Sequence, residues 1–230
     1  MSQLTNNERL KQIAKALGEL NEEVVYVGGA VIQLYSSDPA AYNPMTTYDV
    51  DCVVDVTTYQ GFRDFERRLL IKRFQNDISD GAPICRYLYN GEMVDFMPKV
   101  DTVIGESNRW YLKGLEYRQR RDLDDYISIY IMPVTYYLAS KLDALHSRGG
   151  DDYRGAKDFE DIVFVLNNCV HLLDALEVTS DKELVAYLED EFSRILRRSN
   201  ILEEISSSLQ DDGREEYIVN QIKAIASSRL

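Results

Sequence analysis

Histidine and cysteine are both scarce in this chain of 230 residues, which contains two of the former and three of the latter. His146 and His171 are too few to build a zinc site from the usual histidine and cysteine ligands. Cys52, Cys85 and Cys169 are odd in number and widely spaced, which does not fit a disulfide framework. We therefore expect reduced thiols and no histidine-cysteine zinc site.

Long apolar runs are also missing from the chain. No stretch approaches the roughly 20 apolar residues that cross a bilayer as a helix. No apolar signal-peptide core follows Met1. Together with the reduced cysteines, these features predict a cytoplasmic protein without a membrane partner.

Positive charge is in deficit, since 26 Lys and Arg residues stand against 39 Asp and Glu residues and give a formal net charge of −13. Dense basic stretches occur only at 63–73 and 109–121. A protein that wraps long nucleic acid usually presents a basic face to the phosphates. The composition therefore argues against a nonspecific DNA binder and favours a small anionic substrate or a folded partner.

The hydrophobic pattern divides the chain near residue 132 into an α/β part and a part whose spacing is helical throughout. Asn90-Gly91 lies between two alternating runs and predicts a hairpin over 85–98, because both residues tolerate a positive φ. The other predicted strands are 23–27, 46–56 and 126–131, and the predicted helices are 5–19, 30–35, 59–73, 108–115, 133–147, 152–168, 180–197 and 212–228.

Asp49 and Asp51 are the most informative residues of the chain. They stand two apart in a segment rich in Val and Tyr that favours a strand, so both carboxylates point to the same face. Two anions this close repel each other, and Mg²⁺ would stabilise them because it binds through a few carboxylates and keeps positions open for phosphates. The alternative is a pair of strand-end carboxylates that face water.

Two further features accompany this pair. Gly28-Gly29 lies between a predicted strand and a predicted helix, where backbone amides hold phosphates well; a tight turn is the alternative. Asp95 lies in the second arm of the hairpin and needs a partner in its apolar surroundings, since an unpaired buried charge is costly. That partner is either a shared metal ion or one of the cations Lys99 and Arg86.

A phosphate-binding turn, two strand aspartates and a later strand carboxylate together describe a two-metal phosphoryl-transfer site. In this order they resemble the nucleotidyltransferase superfamily with its polymerase-β-like fold. The matching residues are Gly28, Gly29, Asp49, Asp51 and Asp95.

Other positions resemble, more narrowly, the bacterial toxin and abortive-infection branch of that superfamily. Thr47 stands two residues before the first aspartate, Lys141 lies on a later helix, and Asp158 and Asp161 belong to a following Lys-Asp-x-x-Asp helix. Two positions depart from the pattern of the branch. Ala30 stands where Ser or Thr often follows the glycines, and Met45-Thr46 stands where an Arg is common.

The resemblance implies a fold and a reaction. The fold is α/β, with a small mixed sheet and flanking helices (a nucleotidyltransferase palm) in a catalytic domain over 1–132. A helical domain over 133–230 then contributes to the substrate cleft. The reaction transfers a nucleoside monophosphate from a nucleoside triphosphate (NTP) to an unknown acceptor, which is a protein, a tRNA end or a small molecule, and releases pyrophosphate.

The resemblance also assigns roles around the two strands. Asp49, Asp51 and Asp95 are then the ligands of two Mg²⁺ ions that bridge the phosphates of the NTP. Asp95 also helps to deprotonate the attacking hydroxyl. Gly28 and Gly29 cradle the β and γ phosphates.

Thr47 and the helical residues complete the implied nucleotide site. Lys141 neutralises charge on the leaving group, or alternatively is a surface lysine that pairs with Asp143 or Asp158. Asp158 and Asp161 are three residues apart on one helix face. They fix Lys141, meet Arg154 or approach the acceptor, and a solvated acidic face is the alternative.

Two other functions stay open at this stage. Ala30 and the missing Arg are compatible with a weak or inactive nucleotidyltransferase fold that serves as a nucleotide-binding or interaction module. The branch also suggests the toxin of a toxin-antitoxin or phage-defence system, held inactive by an antitoxin protein.

Overall fold

The computed structural model describes residues 4–37, 47–104, 107–148, 150–209 and 213–227. Met45, Thr46 and the predicted helix ends at 212 and 228 lie outside the described residues. The described chain divides into two compact units, of which the first contains residues 4–34 and 47–133. The second contains residues 35–37 and the described residues from Val134 onward.

Seven strands of the described chain form one mixed sheet in the order β3-β4-β5-β2-β1-β7-β6. β2 runs parallel to β5, and β1 runs parallel to β7, while the other neighbours are antiparallel. The strands are β1 (Val24–Val27), β2 (Asp49–Val54), β3 (Gln75–Asn76), β4 (Arg86–Tyr89), β5 (Glu92–Pro98), β6 (Gln119–Asp122) and β7 (Ser128–Ile131). The predicted α/β fold, a mixed sheet with flanking helices, is confirmed.

The helices of the first unit are α1 (Asn6–Leu17), α2 (Tyr59–Ile71) and α3 (Tyr111–Glu116), with 3₁₀ helices at Gly18–Glu23 and Gly29–Tyr35. α1 begins at a capping box in which the Thr5 hydroxyl accepts from the Glu8 amide and the Glu8 carboxylate accepts from the Thr5 amide. The segment that follows Gly28-Gly29 was predicted as a helix and is a 3₁₀ helix rather than an α-helix.

The predicted hairpin is present and fixes the register of β4 and β5. Asn90 and Gly91 have φ values of 49° and 86°, the left-handed conformation that a two-residue hairpin loop requires. Phe96 of β5 packs its ring against Phe65 of α2 and against Tyr87 of β4, with centroids 5.5 and 5.7 Å apart. Since side chains alternate along a strand, α2 covers the face of β5 opposite to Asp95.

The described part of the second unit is helical. Its helices are α4 (Val134–Arg148), α5 (Lys157–Asn168), α6 (Leu172–Glu177), α7 (Lys182–Leu196), α8 (Ile201–Ser208) and α9 (Glu215–Ala226). α4 packs against α5 and α7, and α7 packs against α9. None of the helices in the described ranges is long and apolar enough to cross a membrane.

A buried ion pair connects the end of α7 to α8. Glu204 is 1% exposed and accepts hydrogen bonds from Nε and Nη2 of Arg198 at 2.8 and 2.5 Å. The Tyr153 amide donates to the same carboxylate at 3.2 Å, and the Arg198 guanidinium lies 3.7 Å from the centroid of the Tyr153 ring. The pair therefore anchors the segment before α5, which was predicted to be helical from residue 152 and becomes helical only at Lys157.

Candidate functional site

Four charged side chains lie on one face of three adjacent strands. Asp51 of β2 is opposite Asp95 of β5, and Asp95 is opposite Arg86 of β4. Asp49 stands two residues before Asp51 and therefore shares its face. Because opposite residues of neighbouring strands present their side chains to the same side, the register itself brings the three carboxylates together.

The three carboxylates fit a divalent cation. Asp95 is buried, Asp49 and Asp51 are half-buried, and the oxygen atoms that they offer lie within 4.8 Å of one another. The oxygens around Mg²⁺ lie about 3 Å apart when adjacent and about 4 Å apart when opposite, since each is about 2.1 Å from the ion. The spacing of the carboxylate oxygens is therefore close to that of a Mg²⁺ site.

Two cysteines near the carboxylates are influenced by their charge. Burial raises the pKa of the Cys85 thiol to about 11, with a further contribution from the charge of Asp95. Burial also raises the pKa of Cys52 well above its usual range, with contributions from Asp51 and Asp95. The donor atoms of the three aspartates are carboxylate oxygens, which favour a hard cation such as Mg²⁺.

Arg86, which sequence reasoning considered only as an alternative ion-pair partner of Asp95, is a member of the site. Its Nε and Nη2 atoms donate to the two oxygens of Asp95 at 2.8 Å each, and Nη2 also donates to Oδ2 of Asp49 at 3.2 Å. Hydrogen bonds to Asp95 raise the pKa of Arg86 above its usual range, so the guanidinium stays charged. Of the two cations considered for Asp95, Lys99 pairs with Asp55 instead.

A signal for Arg86 was present in the sequence. A two-residue loop at Asn90-Gly91 pairs residue 89 with 92 and residue 88 with 93, so counting outward places Arg86 opposite Asp95. The hairpin alone therefore predicts this ion pair, before any tertiary contact is known.

Gly28 approaches the Asp51 side chain closely. Its φ is +70°, and a Cβ atom built on it would lie 2.8 Å from Cγ of Asp51 and closer still to Oδ2. This contact gives a structural reason for a glycine between β1 and the 3₁₀ helix that starts at Gly29. The phosphate-binding role of Gly28 and Gly29 stays a prediction, and Ala30 behind them is buried.

Thr47 makes two hydrogen bonds just before the start of β2. Its hydroxyl donates to the backbone carbonyl of Asp49 at 2.9 Å, and its amide donates to Oδ1 of Asn6 at 3.1 Å. These two hydrogen bonds position the backbone just before Asp49. They give Thr47 a structural role that does not depend on a bound ligand. Its contribution to nucleotide binding stays a prediction.

Lys141, Asp158 and Asp161 form a second cluster, between α4 and α5. Nζ of Lys141 lies 3.2 Å from Oδ1 of Asp158 and 2.5 Å from Oδ2 of Asp161, and the Lys141 side chain is 11% exposed. Arg148 lies 3.3 Å from Asp158, and the Tyr137 hydroxyl donates to Asp161 at 3.5 Å. Lys141 is thus a buried lysine held by both acids rather than a surface lysine.

Burial dominates the electrostatics of this second cluster. It raises the pKa of Asp161 above its usual value, although the charge of Lys141 acts in the opposite direction. Burial also raises the pKa of Tyr137 well above its usual range, with a contribution from Asp161. The three carboxylates and Arg86 belong to the first unit and the Lys141 cluster belongs to the second, so a joint role stays a prediction.

The fold of this chain has a counterpart among solved structures. No protein-family model matches the chain, and no curated protein matches its sequence. The fold is similar to the crystal structure of an antigenic nucleotidyltransferase-like protein from Paracoccidioides brasiliensis, with a TM-score of 0.49 and 18% identity. The similarity covers 90% of this chain and 94% of that chain. At this identity and TM-score, it carries nothing about activity over to this chain.

Proposed function

We propose that the chain is a metal-dependent nucleotidyltransferase. The observation that carries the proposal is the row of three carboxylates across β2 and β5, with oxygens within 4.8 Å of one another. Three carboxylates at this distance repel each other and need positive charge beside them. The resemblance to the nucleotidyltransferase superfamily rests on the same aspartates together with Gly28 and Gly29.

The proposed cofactor is Mg²⁺ in a two-metal site. Asp49, Asp51 and Asp95 would hold it, because it prefers carboxylate oxygens and retains positions for phosphates. When bound, the ions supply charge neutralisation for the phosphates of the NTP and lower the pKa of the attacking hydroxyl.

The proposed reaction is displacement at the α-phosphorus of an NTP. An acceptor hydroxyl oxygen bonds to that phosphorus, the bond to the oxygen that bridges to the β-phosphate breaks, and pyrophosphate leaves with that electron pair. Asp95 would help to remove the hydroxyl proton, and the backbone at Gly28 and Gly29 would bind the β and γ phosphates. Lys141, held by Asp158 and Asp161, would neutralise charge on the leaving group.

Incorporation of labelled nucleotide tests the proposal. The protein is incubated with cell extract, Mg²⁺ and each of the four NTPs, and modified macromolecules and metabolites are identified by mass spectrometry. Asp49→Asn and Asp51→Asn should abolish incorporation, while Asp55→Asn, in which the exposed aspartate paired with Lys99 is changed, should retain it. Unchanged incorporation in both of the first two variants contradicts the proposal.

A second candidate function is a nucleotide-binding or interaction module without turnover. It is favoured by Arg86, whose guanidinium engages both oxygens of Asp95 and so provides the positive charge that a metal ion would otherwise supply. Binding of an NTP measured by calorimetry, together with no product with any NTP, would support this module over the enzyme.

The biological setting is proposed from the resemblance alone. A toxin of this branch would arrest growth by modifying a protein, a tRNA end or a small metabolite, and an antitoxin protein would restrain it. Induced expression with and without the product of the adjacent gene tests this. Growth arrest relieved by that product, and absent in Asp51→Asn, would support a toxin or phage-defence role; normal growth of cells that express the wild-type protein alone would contradict it.

A further inference from the structure

Arg86 is bonded to the same atoms that a metal ion would need. The two hydrogen bonds of 2.8 Å use both oxygens of Asp95, and a third of 3.2 Å uses Oδ2 of Asp49. Asp95 is 8% exposed, so water contributes little to the solvation of its charge. In this arrangement the positive charge of the guanidinium offsets the free-energy cost of burying the Asp95 carboxylate.

The guanidinium and a divalent cation oppose each other at these oxygens. Each favours the carboxylates, and the two cations repel each other when they share the same oxygen atoms. An ion that binds Asp95 therefore weakens the hydrogen bonds between Arg86 and Asp95. The displaced guanidinium then needs another anion, since it does not lose its proton.

A polyphosphate is the anion that suits a displaced Arg86. The planar fork of the guanidinium matches two oxygens of a phosphate as well as two oxygens of a carboxylate. The Arg86 side chain is 20% exposed, so a ligand can reach it. Its Nη1 atom lies 3.8 Å from Sδ of Met93, a weak acceptor that a phosphate oxygen would readily replace.

We propose that Arg86 is a resident counter-ion that competes with the divalent cation for Asp95 and, once displaced, binds a phosphate of the incoming NTP. Metal and triphosphate then bind cooperatively, because the ion frees the arginine that the phosphate uses. This proposal rests on the proposed function, since it assumes that the three carboxylates bind a metal ion.

Calorimetric titration of the whole chain with Mg²⁺, and then of the Mg²⁺-saturated protein with inorganic tripolyphosphate, tests the proposal. Tripolyphosphate is used because the base of the NTP is unknown. The variants are Arg86→Met, Arg86→Lys and the matched control Arg120→Met. Arg120 is an exposed arginine of β6, and its Nε atom lies 3.9 Å from Oδ1 of Asp122.

Arg86→Met should bind Mg²⁺ alone about tenfold more tightly than the wild type, because the competing cation is gone, and should bind tripolyphosphate about tenfold more weakly. Arg86→Lys should change both affinities in the same directions by less, since it keeps the charge and loses the fork. Arg120→Met should keep the Mg²⁺ and tripolyphosphate affinities within about twofold of the wild type. This control measures the effect of removing a distant charge.

The outcomes separate the two proposals. If Arg86→Met or Arg86→Lys binds Mg²⁺ no more tightly than the wild type, or if tripolyphosphate affinity is unchanged, the role of Arg86 is overturned while the metal site stands. If Asp51→Asn binds Mg²⁺ as well as the wild type does, the metal site itself fails, and the proposed function fails with it. If circular dichroism shows that Arg86→Met does not fold, the Mg²⁺ and tripolyphosphate affinities of Arg86→Lys alone test the role of Arg86.

Discussion

The Cα atom of Gly28 lies so close to the carboxylate of Asp51 that no other residue type fits without a shift. A Cβ atom at Gly28 would lie 2.8 Å from Cγ and 3.1 Å from Cβ of Asp51. Val27, the preceding residue, is opposite Asp51 in the antiparallel pair of β1 and β2. The turn after β1 therefore fixes the position of one of the three carboxylates.

Gly28→Ala should destabilise the protein and displace Asp51. The positive φ costs about 1–2 kcal/mol for a residue with a Cβ atom, and the overlap with Asp51 adds about 1–3 kcal/mol. The free energy of unfolding is measured by urea denaturation, and Mg²⁺ affinity is measured by calorimetry. We expect a loss in both.

Gly81→Ala is the matched control for this variant. Gly81 belongs to the same unit and has a similar φ of +79°, but a Cβ atom there would have no heavy atom of the described residues within 4 Å apart from its chain neighbours. It should lose only the about 1–2 kcal/mol of backbone strain and retain its Mg²⁺ affinity. Equal losses in the two alanine variants would show that the contact between Gly28 and Asp51 is unimportant.

Mg²⁺ should stabilise the folded protein through the three carboxylates. A ligand at a hundred times its Kd adds about 2.7 kcal/mol if it binds only the folded state. Tm is measured with Mg²⁺ and with chelator, and the difference should vanish in Asp51→Asn. Asp55→Asn should keep it, because Asp55 is half-exposed and pairs with Lys99; an equal shift in both variants would contradict the assignment of Asp51.

Much of the first unit follows from local sequence. The helical spacing of apolar residues over 5–19, the Asn90-Gly91 loop and the Val-rich runs predict α1, the hairpin and the central strands. Two edge strands were missed because their residues carry no alternating apolar pattern. The exposed Gln75–Asn76 and the polar Gln119–Asp122 become strands through hydrogen bonds to one neighbour each. In the second unit, the short helices α6 and α8 were missed as well.

The site was predictable only in part. Strand periodicity predicts that Asp49 and Asp51 share a face. Their alignment with Asp95 depends on the parallel register of β2 and β5, which no local signal sets. Similarly, the spacing of Asp158 and Asp161 predicts one helix face, but only the packing of α5 on α4 shows that this face meets Lys141.

Lys141→Met should be strongly destabilising at neutral pH. It would leave Asp158 and Asp161 without their lysine in a poorly solvated place, and breaking a buried pair in this way costs about 3–5 kcal/mol. Lys157→Met, at an exposed position that begins α5, should change the free energy of unfolding by less than about 0.5 kcal/mol.

The loss in Lys141→Met should depend on pH. Burial raises the folded-state pKa of Asp161, so its contribution to stability is fully present below the unfolded pKa and is lost as the pH rises through the folded pKa. Without Lys141 that pKa rises further, so the destabilisation should grow between about pH 4 and pH 7. Urea denaturation at both pH values measures it, and an equal loss at both would assign the effect to lost apolar packing.

Arg198→Met should weaken the contacts through Glu204 that hold the segment before α5. Glu204 would then be a buried carboxylate without its arginine, at a cost of about 3–5 kcal/mol, and the bond that protects the Tyr153 amide would weaken. Hydrogen exchange of that amide and urea denaturation measure the two effects. Arg154→Met, which removes an exposed pair with Asp152 in the same segment, should lower the free energy of unfolding much less than Arg198→Met does.

Acid should affect the wild type and Arg198→Met differently. Hydrogen bonds from Arg198 lower the pKa of Glu204, so its contribution to stability is present above the unfolded pKa and is lost as the pH falls through the folded pKa. Arg198→Met lacks this contribution, so the difference in unfolding free energy should narrow as the pH falls from 7 to below about 4. A constant difference would mean that Arg198 acts through its packing on Tyr153 and not through the charge of Glu204.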